Sequence, residues 1–239
     1  MANETVSKKS SLGRRLVKGL LVIVGVTAVS LFGWHLSWKH SGSGEWQLEI
    51  DKDGIQIYSL KRPGETLKDF KCVRRIKSSL NQIATAMADT SVEHCVDWNP
   101  ACVASKTIEP WNASNTSITL YELKLNFPFK NRDIVFKQVV SQDPQTKVLT
   151  VDLTALSGVV PEQPGYVRVT KIHNVWRWTP LPNGEVELEL VDAMDPQLPY
   201  FLVNQKAKWL HTLMSRVPEL IGREQYRGKQ FPGIQEPQA

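Results

Sequence analysis

The chain is short of the residues that chemistry usually requires. Its 239 residues include three cysteines and five histidines. The histidines at 35, 40, 94, 173 and 211 show no i, i+4 pairing, so no metal site is expected. Asp152, His173 and a serine could be imagined as a triad, but no Gly-x-Ser-x-Gly elbow presents a nucleophile. A Gly-rich phosphate loop and a Rossmann fingerprint are also missing, so no catalytic residue and no cofactor is expected. Charge is scarce in the body as well. Of the net +5, residues 1–38 carry +4, from Lys8, Lys9, Arg14, Arg15 and Lys18 against Glu4, which leaves +1 for all the rest. A nearly neutral body argues against a basic phosphate-binding face, and no nucleic-acid partner is expected.

What the N-terminus has instead is a long apolar run. Residues 19–38 are mostly apolar and carry no formal charge, close to the length that crosses a hydrocarbon core. Five basic residues precede the run and Lys39 follows it, which favours a cytoplasmic N-terminus and a body on the non-cytoplasmic, periplasmic or extracellular, side. Trp34 and Trp38 mark its far end as an interface. The alternative is a signal peptide cut at Ala28-Val29-Ser30, giving a secreted or periplasmic body. The expected division is a basic segment (1–18), an anchor or signal peptide (19–38), a linker (39–45), a body (46–222) and a tail (223–239). His40-Ser41-Gly42-Ser43-Gly44 reads as flexible, and 228–239 as frayed, by composition.

The body, 41% hydrophobic and 22% charged across the chain, reads as strands first. Segments 46–51, 55–60 and 68–77 carry strand patterning, with Lys52-Asp53-Gly54 as the first turn. Ser79 is the expected N-cap of a helix over 80–88. Strands return at 103–110, 117–125, 132–142, 147–155, 166–179 and 185–193, and their close spacing favours antiparallel connections. A helix is expected over 198–221, with Val203, Ala207, Leu210, Met214, Val217 and Ile221 in one stripe. Leu202, Trp209 and Leu213 widen it, and Pro218 should kink or end it. Many antiparallel strands with one terminal amphipathic helix predict an α+β body whose sheet wraps that helix.

Cys95 and Cys102 flank a segment that Asn99-Pro100 can turn back, so they can pair in an oxidising space. Three buried thiols are the equal alternative. Trp176 and Trp178 share a strand parity and point to one face, as core or as ligand wall. Arg132, Asp133, Asp152, Arg168 and Asp192 are charges in apolar strand contexts, expected on the outer face; any that face inward must be paired and could then hold a lipid headgroup.

The order of these segments resembles a bacterial START-like domain. The residues that carry the resemblance are Trp46 with 52–58, Phe70 to Ile76, Trp98, Pro128 with Arg132-Asp133-Ile134-Val135, 165–169 with Trp176 and Pro180, and Asp195-Pro196 before Leu198-Pro199. The Phe127-Pro128 break and the Lys130-Asn131 turn before Arg132-Asp133 form the most family-like hairpin. One departure is visible: Gln197 alone separates Pro196 from Leu198, where the family often carries Gly-Gly. The resemblance implies a helix-grip fold, a curved antiparallel sheet around the C-terminal helix, enclosing a cavity for a lipid, sterol, fatty acid or similar hydrophobic ligand. It implies a carrier or sensor and not an enzyme. Arg132, Arg168, Trp176, Trp178, Leu202, Trp209 and Leu213 are the candidate cavity residues it suggests. The expected function is binding, transfer or presentation of such a ligand by a membrane-tethered domain, whose oligomeric state is left open. The alternatives are a membrane-anchored interaction module with a filled cup, and an enzyme acting on a hydrophobic ring compound.

Overall fold

The structure, a computed structural model, describes the backbone of residues 5–237 and side chains from residue 13. Part of the expected basic segment, including the Lys8 and Lys9 side chains, and the last two residues of the expected tail lie outside the described residues. Helix α1 runs over Thr5–His40 as one element. Within it, Gly13–His40 is long and apolar enough to cross a membrane, and none of its most apolar window is buried against the body.

The body begins with β1 (Trp46–Lys52) and β2 (Ile55–Leu60). Their turn is built by Asp53 and Gly54, both at positive φ, which matches the twist of a two-residue hairpin. Next come β3 (Asp69–Ile76), α2 (Leu80–Met87) and α3 (Val92–Trp98), and Ser79 caps α2 as expected by accepting from the Gln82 amide at 3.2 Å. Then follow β4 (Cys102–Glu109), β5 (Thr116–Leu123), β6 (Asn131–Gln142), β7 (Leu149–Ala155), β8 (Tyr166–Val169), β9 (Lys171–Pro180) and β10 (Val186–Asp195). The chain ends in α4 (Tyr200–Val203), α5 (Ala207–Ile221) and a 3₁₀ turn at Glu224–Tyr226.

The strand order is β1-β2-β3-β10-β9-β7-β6-β5-β4, antiparallel throughout, with β8 added beside β6. The expected single strand over 166–179 is two strands. β7 covers β6 only from Phe136 onward, so the edge at residues 131–134 would be left open in a buried region. The chain loops out after β7 and returns as β8, parallel to β6, to pair that edge; β9 then joins β7 and β10. Leu210, Met214, Val217 and Ile221 of α5 are buried against the sheet with Ile57, Phe70, Leu188 and Leu190. The fold is therefore the expected α+β helix-grip arrangement with one apolar N-terminal helix.

Three local expectations are corrected. The terminal helix breaks after Val203, because Asn204 turns both ends of its amide to the β2–β3 loop: it accepts from the Lys68 amide at 2.9 Å and donates to the Thr66 carbonyl at 3.0 Å. Pro218 does not end α5. The Met214 carbonyl, which Pro218 cannot reach with an N–H, accepts from the Arg74 guanidinium instead. The tail is not frayed over its described part. Phe231 packs edge-on against Trp111, and the Glu236 carboxylate accepts from the Leu80 and Asn81 amides at 3.0 and 2.9 Å, closing the N-terminus of α2.

The linker is also not loose. Lys61, buried on β2's exit, donates to the carbonyls of Lys39 at 3.3 Å and Ser41 at 3.1 Å. Burial holds the Lys61 pKa below the usual lysine value. The Gly44 and Gly64 amides donate to Lys61 and Lys39 carbonyls at 3.1 and 2.8 Å. Gly42 sits at φ 105°, and a Cβ there would meet the Lys61 carbonyl oxygen at 2.3 Å. Gly42→Ala is expected to strain this joint by about 1–3 kcal/mol. Hydrogen exchange at the Gly44 and Gly64 amides should speed up by roughly tenfold or more, since about 1.4 kcal/mol is a factor of ten. Unchanged protection at both amides would mean that the linker is held by something else.

Candidate ligand cavity

A cavity of about 220 Å³ lies between the sheet, α3 and the segment that carries α4 into α5. Its walls follow from strand parity. Ile172 and Asn174 on β9, and Asp192 and Met194 on β10, continue the inward rows that hold Trp176, Trp178, Leu188 and Leu190 deeper in the core. Tyr121 and Leu123 of β5, Ile134 and Phe136 of β6, and Leu153 of β7 complete the sheet side. Trp98 of α3 stands between the cavity and the core: it meets Trp176 edge-on at 5.4 Å, and Trp176 stacks on Trp178 at 6.2 Å. The cover is Pro196, Val203, Lys206 and Trp209.

One charged pair interrupts this mostly apolar lining, to which Asn99 and Asn174 add neutral polar groups. The Lys206 ammonium lies 2.9 Å from Asp192 Oδ2, both side chains are largely buried, and Asp192 Oδ1 has no hydrogen-bond partner among the described residues. The Lys206 ammonium also sits 5.0 Å over the Phe70 ring. The neighbouring Cys72 thiol is pushed well up, first by burial and then by the Asp192 carboxylate. Burial likewise raises the Tyr121 hydroxyl, which therefore stays neutral.

Of the residues singled out in the sequence, Trp209 lines the cavity. Arg132, Arg168, Trp176, Trp178, Leu202 and Leu213 do not. Trp176, Trp178 and Leu213 fill the core, and Leu202 points outward on α4. Arg132 is buried, but its guanidinium donates to the carbonyls of Lys130 (2.6 Å), Pro196 (2.6 Å) and Gln197 (2.8 Å). It ties the β5–β6 hairpin to the loop before α4. Arg168 pairs with Asp133 at 2.6 Å and donates to the Val160 and Pro161 carbonyls. Both arginines hold backbone in place next to the cavity and leave their charge spent on protein groups.

The residue that sequence reasoning missed is Lys206. Asp192 is among the charges singled out in the sequence and shares a strand parity with Leu188 and Leu190, whereas Lys206 is hidden by the apolar stripe that jumps from Val203 to Ala207. Cys95 and Cys102 are disulfide-bonded, with Cα atoms 5.9 Å apart, and the bridge joins the last turn of α3 to the start of β4. Cys95 thereby becomes a fixed part of the cavity wall.

The segment that covers the cavity lies beside the foot of α1. Tyr200, the first residue of α4, stacks on Trp38 at 6.0 Å and also meets Trp34 and His35. Trp38 donates its indole N–H to the Thr66 carbonyl at 2.9 Å, the same carbonyl that holds Asn204. Helix α1 and the cavity cover thus share one set of contacts.

Residues 40–209 match the family model of the START domain. An uncharacterised protein of Pseudomonas aeruginosa is 25% identical over 162 residues, which is 67% of this chain and 78% of that one. Among solved structures, a STAR-related lipid transfer protein fragment from Xanthomonas axonopodis superposes with a TM-score of 0.66 at 20% identity, over 76% of this chain and 100% of that one. Human STARD10 gives 0.63 at 14% identity, over 78% of this chain and 77% of that one. These structural likenesses speak for the fold, and the family match spans the same sheet, cavity and cover just described. The chain belongs to the START domain family.

Proposed function

We propose that this protein binds a lipid or other hydrophobic molecule in its cavity while α1 holds it on a membrane, and that it takes up or presents the ligand at that membrane. The observation that carries this reading is the junction at Tyr200, where the foot of an apolar helix grips the first turn of the cavity cover. A short joint clamped by Lys61 keeps the body at the surface, so exchange with the adjacent leaflet is favoured over ferrying across a compartment. Phe201 and Leu202, exposed on α4 beside that joint, suit contact with lipid. The N-terminus is cytoplasmic and the body non-cytoplasmic in this reading. Arg14, Arg15 and Lys18 before the apolar run support that sense, as does the Cys95–Cys102 bridge, which suits an oxidising compartment.

The size of the cavity narrows the ligand. About 220 Å³ is below the range of about 300–1,000 Å³ usual for drug-sized ligands. A single chain or a compact ring fits this space, and a two-chain lipid does not without movement of the cover. The experiment is native mass spectrometry of the full chain released from its own membrane. One bound apolar species is expected, and Ile172→Trp, which fills the cavity, should abolish it. A protein that never carries or accepts a lipid, sterol or fatty acid would sink the proposal.

A further inference from the structure

The Asp192–Lys206 pair lies where an apolar ligand would sit, and it has hydrogen-bonding capacity left over. Lys206 can bring three donors, and its ammonium stands 2.9 Å from Asp192 Oδ2 as an ion pair. Asp192 Oδ1 is buried with no hydrogen-bond partner among the described residues. A buried carboxylate oxygen without a donor is a standing cost, relieved by any group that supplies one. The pair stands at the cover: Asp192 is on β10 opposite Asn174, and Lys206 is the residue before α5. A ligand beneath the cover must therefore place some part of itself next to a buried carboxylate and a largely buried ammonium.

Three kinds of end group can be compared there. A hydrocarbon end leaves the unused donors and the unused oxygen as they are. A carboxylate end accepts from Lys206 but competes with Asp192 for it, and brings a second negative charge against the unpartnered oxygen. A hydroxyl is both donor and acceptor, so it can accept from the Lys206 ammonium and donate to the Asp192 carboxylate without adding charge.

Resting on the ligand-binding reading above, we propose that the Asp192–Lys206 pair is a headgroup subsite that selects an apolar molecule ending in a neutral hydroxyl over its carboxylate and hydrocarbon counterparts. Specificity of this kind comes from leaving buried polar groups unpaired when the wrong molecule enters, and it exceeds what shape alone gives in an apolar pocket.

The test uses the full chain in lipid nanodiscs with photoreactive, diazirine-bearing decanol, decanoate and decane. Labelling of the peptide holding Met194 is divided by labelling of α1, which cancels the different partitioning of the probes into the bilayer. Decanol is expected to exceed both others by about tenfold, as one hydrogen bond to a charged group supplies on the order of 1.5–3 kcal/mol. In Asp192→Leu/Lys206→Met, which replaces the pair by apolar groups of similar size, the decanol preference should vanish. The native chain alone already decides the matter if the double variant does not fold. Equal cavity labelling by decanol and decane would overturn the subsite while leaving an apolar cavity in place. A preference for decanoate would overturn it in favour of Lys206 acting alone. No cavity labelling by any probe would overturn both this inference and the ligand-binding reading.

Discussion

Asp133→Ala is expected to destabilise the body by about 3–5 kcal/mol, because it strands a buried guanidinium. Asp133 is fully buried, and the Arg168 side chain is 4% exposed. Without the carboxylate, Arg168 keeps the Val160 and Pro161 carbonyls but has no counter-charge. The strain falls on the parallel β6–β8 pairing, where Asp133 and Arg168 are opposite each other in register. For a body of this size about 2–4 °C is lost per kcal/mol, so a drop of about 6–20 °C in the thermal midpoint is expected. Asp133→Leu/Arg168→Met should recover most of the loss, since removing both charges is often close to neutral. A single-variant drop of less than about 1 kcal/mol would mean that Arg168 is solvated despite its burial, in the way that exposed pairs behave.

Acid should unfold this protein earlier than its carboxylates alone would dictate. His94 lies in the first turn of α3, its amide donates to Ser91 Oγ at 3.2 Å, and its ring packs on Trp98 at 5.5 Å. Burial pushes its pKa from 6.5 down to about 4; Asp89 and Asp97 pull it back up, and Arg223 adds to the fall. The folded pKa is below the unfolded one, so above pH 6.5 the residue is neutral in both states and has no effect. Below 6.5 the unfolded chain binds the proton first. Stability is therefore lost between pH 6.5 and about 4, by about 3 kcal/mol at the lower end, since each tenfold difference in proton affinity between the two states is worth about 1.4 kcal/mol. Asp89 and Asp97 have lowered pKa values, so their contributions fall only below the ordinary aspartate range. Denaturant unfolding followed from pH 7 down through the aspartate range separates the two windows. His94→Gln should flatten the upper one, and an unchanged slope there would place the acid sensitivity elsewhere. Because α3 carries Trp98 and Cys95 of the cavity wall, loss of α3 packing should loosen the cavity in the same window.

Much of the architecture is legible in the chain because local rules and the fold agree. The Asp53-Gly54 hairpin, the Ser79 cap and the α5 stripe each follow from residues within a few positions of one another. The places where reading along the chain fails are those where a distant group changes the local outcome. Pro218 signals the end of a helix, yet Arg74 from β3 supplies the donor that lets α5 continue. Glycine and serine at 41–44 signal a flexible joint, yet the buried Lys61 gathers their backbone. Prolines and glycines after 228 signal fraying, yet Glu236 closes α2 more than 150 residues away.

The same division holds for the cavity. Parity identified Trp176 and Trp178 as facing one side, but not whether that side was filled; Trp98 decided it by closing the row at Trp176. Arg132 and Arg168 were identifiable as charges that needed partners. Which partners they took depended on loops at 160–161 and 196–197, which no periodicity reports. The sequence by itself determined the apolar N-terminal helix, the strand-rich body and the amphipathic helix that closes it, since these rest on hydrophobic period and turn chemistry. Only the tertiary structure decided that the foot of α1 grips Tyr200 and that Lys206 meets Asp192 inside the cavity. Those contacts join segments far apart in the chain, and they depend on where a twisted sheet brings its rows together, which is a property of the whole packing and not of any one stretch.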